Sequence, residues 1–141
     1  MKKNTFSSSH VGYVNKGKQD LNLHDLCMIE KGFLWHTKKI ACILHEFIHA
    51  WGFHHEHNRP DRDKYVKVYK ENIQDKKWAN FIIQNKSCTF GLPYDGSSVM
   101  HYHSKAFIKP NLPKGSMSIK SLVNFDKELS FYSYIHDGSR E

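Results

Sequence analysis

The chain has 141 residues, enough for one domain of ordinary size and too few for two independent cores. Hydrophobic residues at 39%, aromatics at 13% and charged residues at 25% exclude a disordered tail or a fibre, and no stretch approaches the ~20 apolar residues of a membrane helix. Lys and Arg number 21 against 14 Asp and Glu, so a polyanion partner has to be weighed, while 11 histidines, several of them crowded between His45 and His57, direct attention to metal chemistry.

The opening Met1-Lys2-Lys3 is followed by polar residues with no apolar run of a signal-peptide kind. Val11-Gly12-Tyr13-Val14 and Leu21-Asn22-Leu23 read as short strands separated by the turn-like Asn15-Lys16-Gly17-Lys18. From Ile40 the period changes: Ile40, Ile43, Leu44, Phe47, Ile48 and Trp51 predict a helix with one buried apolar stripe, Thr37 as its N-cap and Gly52 as its stop. Tyr65 to Tyr69 reads as an extended piece and Glu71 to Gln84 as a second helix. Thr89 to Ser116, rich in Gly and Pro, reads as irregular, and Asp126 to Tyr134 as a last helix. There is no internal repeat and no linker. Cys27, Cys42 and Cys88 are an odd number, which leaves at least one thiol outside any intrachain pair and the redox compartment open. Asn85-Lys86-Ser87 matches a glycosylation acceptor, a pattern too short to carry weight alone.

The chemistry concentrates in His45-Glu46-x-x-His49-x-x-Gly52-x-x-His55. Residues four apart on a helix share a face, so His45 and His49 can present imidazoles to one ion with Glu46 beside them. A helix continued past Gly52 would carry His55 away; a turn there brings it back as a third ligand. Three histidines leave one coordination position for water, the pattern of a catalytic rather than a structural zinc site. The excess of basic residues falls in scattered pairs such as Lys38-Lys39 and Lys76-Lys77 with no nucleic-acid motif beside them, so no nucleic-acid partner is expected.

This segment resembles the metzincin zinc-protease signature. Phe53, Glu56 and Arg59-Pro60-Asp61-Arg62-Asp63-Lys64-Tyr65-Val66, followed downstream by Pro93-Tyr94-Asp95 and Ser98-Val99-Met100-His101-Tyr102, resemble the astacin family. The resemblance implies an α+β, zincin-like catalytic domain over residues 1–141. It implies an active-site helix under a shortened mixed β-sheet in a partial upper subdomain (1–52), and an irregular lower subdomain with a Met-turn after it (53–141). It implies one catalytic Zn²⁺ held by His45, His49 and His55, with Tyr102 as an additional ligand that swings to the oxyanion when substrate enters. Glu46 is then the general base, Met100 the apolar floor, and Glu56 a partner of the mature N-terminus. Arg59, Asp61, Arg62 and Asp63 read as structural ion-pairing residues, and His54, His57, His101 and His103 as decoration. The activity implied is a secreted zinc endopeptidase acting on proteins or peptides, and the basic balance suggests acidic side chains near the scissile bond. The alternative is a truncated, inactive relative that keeps zinc. Three departures stand out: the helix and strands that open the family's domain would precede His10, Ser7 stands where the family places the cysteine that pairs with the one at Cys27, and Gly96 stands where the family often has tyrosine.

Overall fold

The computed structural model describes residues 7–15, 17–24 and 34–125. Cys27 and the helix expected at Asp126 to Tyr134 lie outside the described residues. The chain divides into two compact units, Met1–Phe53 and His54–Glu141.

In the first unit, β1 (Ser8–Ser9) pairs antiparallel with β2 (Leu21–Asn22), Ser8 opposite Asn22, and both pack on α1 (Leu34–Ala50). The first strand therefore lies ahead of the Val11 to Val14 stretch expected to form it. That stretch bends because Gly12 sits at φ 76° with its N–H donating to the carbonyl of His49 (2.9 Å). The Gln19 side chain satisfies the backbone instead, donating to the Gly12 carbonyl (2.9 Å) and accepting from the Val14 N–H (3.2 Å). Among the described residues this sheet is a two-stranded antiparallel pair. Helix α1 starts at Leu34, so Thr37 lies inside it and is not its cap.

The apolar stripe of α1 is not its buried face, although Ile43 and Ile48 are half-buried. Ile40 is 59% exposed and Trp51 70%, with Leu44 and Phe47 also exposed, while Ala41, Cys42, His45, Glu46 and His49 are buried. Spacing identifies a stripe but not which stripe is covered; here His45, Glu46 and His49 hold the sheltered side. Cys42 takes part in a disulfide, and the Ser7 hydroxyl lies 3.4 Å from its sulfur, so the serine at the family's cysteine position borders a sulfur supplied by α1. Cys88 is free and exposed.

The second unit is built on β3 (Val66–Val68) paired antiparallel with β4 (Ile119–Ser121), Val68 opposite Ile119. Val66, Ile73, Phe81, Tyr94, Tyr102, Ala106, Phe107 and Ile119 form its buried core, with Tyr65, Trp78 and Phe125 packed against it. Full burial of a side chain such as Phe81 contributes about 1.5–3 kcal/mol, enough for this small cluster to organise the loops around it. The helix expected from Glu71 to Gln84 is two 3-10 segments, Lys70–Asn72 and Asp75–Phe81. An extended break separates them: Ile73 bridges to Ile108, the Gln74 N–H donates to the Phe107 carbonyl (3.0 Å), and the Lys109 N–H donates to that of Asn72 (2.7 Å). These long-range bonds replace the i to i+4 ladder an α-helix would need.

At Gly96, a Cβ would fall 2.6 Å from two ring carbons of Phe125, whose ring stacks on Tyr94 at 6.0 Å and 24°. The phenyl ring occupies the room that a side chain at position 96 would take. Gly96→Ala should lower stability by about 1–3 kcal/mol through overpacking, read as a lower urea midpoint. Phe125→Leu in the same chain should recover part of the loss, and an unchanged midpoint for Gly96→Ala would contradict this packing.

Candidate metal centre

Helix α1 ends in a hydrogen-bonded hook. The Gly52 N–H donates to the His49 carbonyl (2.8 Å) and the Phe53 N–H to that of Ile48 (3.2 Å), with Gly52 at φ 104°. This is the Schellman arrangement, in which the residue after the cap needs a left-handed backbone that glycine adopts without a Cβ clash. It stops the helix directly after the second histidine.

His45 and His49 project from successive turns with ring centroids 4.6 Å apart and planes at 87°. His49 Nδ1 lies 2.8 Å from the Phe53 carbonyl, which can only accept, so Nδ1 carries the proton and Nε2 is left as a ligand atom. After the hook comes His55, and one ligand atom from each of His45, His49 and His55 lies within 4.8 Å of the others. Tetrahedral zinc with bonds of about 2.0–2.1 Å spaces its nitrogen ligands about 3.4 Å apart. The trio therefore fits one zinc ion with side-chain adjustments of about an ångström. Glu46, beside His45, is 1% exposed, and burial pushes its carboxyl up to about 7. A dication near it would favour the ionised form.

Within the second unit, the Glu56 N–H donates to the Met100 carbonyl (2.9 Å), tying the residue after His55 to the Met-turn. That turn is closed by the Ser98 N–H on the Asp95 carbonyl (3.2 Å) and the His101 N–H on that of Ser98 (2.9 Å), and Met100 is buried. Tyr102 is buried with its ring 4.7 Å from that of His55.

The family model for Astacin, a peptidase family, matches residues 1–129. The chain belongs to the astacin family. It is 44% identical over 101 residues to the meprin A subunit beta of Mus musculus, covering 70% of this chain and 13% of that protein. Against the zinc metalloproteinase nas-7 of Caenorhabditis elegans it is 36% identical over 115 residues, 80% of this chain and 27% of that protein. Among solved structures it is similar to high choriolytic enzyme 1, a hatching enzyme zinc-protease from Oryzias latipes, with a TM-score of 0.71 and 32% identity over 90% of this chain and 56% of that one. The chain thus spans little more than half of the hatching-enzyme chain and a small part of the longer relatives, and its fold is the α+β fold of this family.

Glu56 carries more than the resemblance implies, since its Oε1 accepts from the Arg59 guanidinium (2.9 Å) and from the Asp95 N–H (2.9 Å). Burial raises its carboxyl; those two donors pull the other way. Arg62 is buried and donates to the His57 and Phe81 carbonyls as well as to Asp63. His57, His101 and His103 are buried, which corrects their reading as decoration. The signal in the sequence was their interleaving with the motif: His57 two places after His55, and His101 and His103 on either side of Tyr102. Burial holds His101 neutral by lowering its pKa to about 4. No helix among the described residues is long and apolar enough to cross a membrane.

Proposed function

We propose that the protein carrying this chain is a secreted zinc endopeptidase that hydrolyses peptide bonds in proteins or peptides. The observation that carries the proposal is the convergence of His45, His49 and His55 on a volume that one zinc ion would fill, with a buried carboxyl one residue from the first ligand. Zinc bound there would polarise the scissile carbonyl and lower the pKa of its water to about 7. The chain's own groups supply the rest. The Glu46 carboxylate takes the proton of the attacking water and delivers it to the leaving amine. Tyr102, beside His55, donates its hydroxyl to the oxyanion that develops on the carbonyl. His49 keeps the tautomer a ligand needs through its bond to Phe53. Met100 is buried in the turn to which the residue after His55 is tied.

The rival is an inactive relative that binds zinc without turnover. A quenched peptide or casein assay on the zinc-loaded chain separates the two. Cleavage that stops on chelation and returns with zinc is expected; a zinc-loaded, folded chain that cleaves neither substrate would favour the inactive reading.

A further inference from the structure

Two fully buried histidines outside the metal trio grip the peptide groups of Tyr102. His57 Nδ1 accepts the Tyr102 N–H (3.4 Å), while its Nε2–H donates to the Asn80 carbonyl (3.1 Å). The same ring stacks on the Tyr102 ring, centroids 4.1 Å apart and planes at 29°. On the other side, His101 Nδ1–H donates to the Tyr102 carbonyl (2.6 Å), and its Nε2 accepts the Tyr94 hydroxyl (2.6 Å). The two imidazoles therefore hold opposite tautomers, each set by a backbone group that has only one way to bond. His57 is itself anchored at its carbonyl by Arg62 (3.1 Å). It also stands between two rings of the site, 5.2 Å from His55 and 4.1 Å from Tyr102.

We propose that His57 is a positioning residue for Tyr102: through its stack and its bond to the Tyr102 N–H it fixes where the Tyr102 hydroxyl stands relative to the bound peptide. This rests on the proposal that Tyr102 donates to the oxyanion. A hydroxyl misplaced by about an ångström can cost on the order of a hundredfold in rate without changing how substrate binds. The benefit falls on the transition state, so kcat carries the effect and KM does not.

The test is a double-mutant cycle on the zinc-loaded chain with His57→Phe, which keeps a ring and removes the acceptor, and Tyr102→Phe, which removes the hydroxyl. His57→Phe should lower kcat about 10- to 100-fold with KM and zinc content unchanged. In the Tyr102→Phe background it should add less than about twofold, because the group it positions is gone. In the zinc-loaded protein, the Tyr102 amide and ring-proton resonances should move in His57→Phe while those of Glu46 stay put. Tyr102→Phe with undiminished kcat would overturn the role of Tyr102 and leave His57 nothing to position. A normal Tyr102→Phe defect combined with full multiplication of the two losses would overturn the positioning role alone. Should His57→Phe fail to fold, His57→Gln, which retains an acceptor and drops the ring, is read in the same cycle; unfolding of both would make His57 a structural residue and overturn the proposal.

Discussion

Glu46→Gln should remove peptide hydrolysis, with kcat/KM down by about 10²–10⁴, while the chain still binds one zinc ion. The substitution is close to isosteric, so the packing of a side chain that is 1% exposed changes little. What it removes is the site's capacity to take and return a proton, because an amide cannot do either at neutral pH. The His45 and His49 ligand atoms and the helix hook at Gly52 are untouched. KM should therefore stay near its wild-type value, and zinc content measured on the same sample should be unchanged. Substantial residual turnover with full zinc occupancy would remove Glu46 from its assigned role.

Arg59→Ala is the substitution expected to cost the most stability, about 2–4 kcal/mol. One guanidinium makes five hydrogen bonds: Nε and Nη2 to the two oxygens of Asp61 (3.0 and 2.9 Å), Nη1 to Glu56 (2.9 Å) and the Pro93 carbonyl (3.0 Å), and Nη2 to the Leu92 carbonyl (2.9 Å). It also lies over the Tyr94 ring at 5.3 Å. Its side chain is 12% exposed and that of Glu56 18%, so the pair with Glu56 is screened less than a surface pair. Removal leaves the part-buried Glu56 carboxylate without its cation and releases the segment that leads into the Met-turn. Arg59→Lys should restore less than half, since an ammonium cannot span Asp61 bidentately while reaching two carbonyls. The Arg59 hydrogen bond holds the Asp61 carboxyl below its ordinary pKa. Its folded value thus lies under the unfolded one, and this contribution, present at neutral pH, fades as pH falls through the acid range. Urea midpoints of wild type, Arg59→Ala and Arg59→Lys check the order; a change under about 0.5 kcal/mol for Arg59→Ala would contradict it.

The metal trio was legible because its geometry is local. An i to i+4 pair on a helix and a glycine that ends it are written within residues 45–55, and the hook at Gly52 follows from backbone sterics alone. The family resemblance, carried by Arg59 to Val66 and Ser98 to Tyr102, gave the α+β class. Elements decided by distant partners were not legible. β4 exists because Ile119 meets Val68, and the helix expected through Ile73 is broken because Ile73 meets Ile108. Position along the chain carries no record of such pairings. The face of α1 failed for a different reason: Ile40, Leu44, Phe47 and Trp51 do mark one side of the helix, but His45, Glu46 and His49 take the sheltered side that an apolar period assigns to hydrophobes. His57 and His101 were passed over because polar residues beside a motif read as surface until their hydrogen bonds to the Tyr102 peptide are seen.

That His45, His49 and His55 together hold one zinc ion is checked by the metal content of the purified chain after equilibrium dialysis against limiting zinc. Wild type should retain one zinc per chain, and His45→Ala, His49→Ala and His55→Ala should each lose it while remaining folded by circular dichroism. A folded wild-type chain that binds no zinc, or three variants that keep it as tightly as wild type, would contradict the claim.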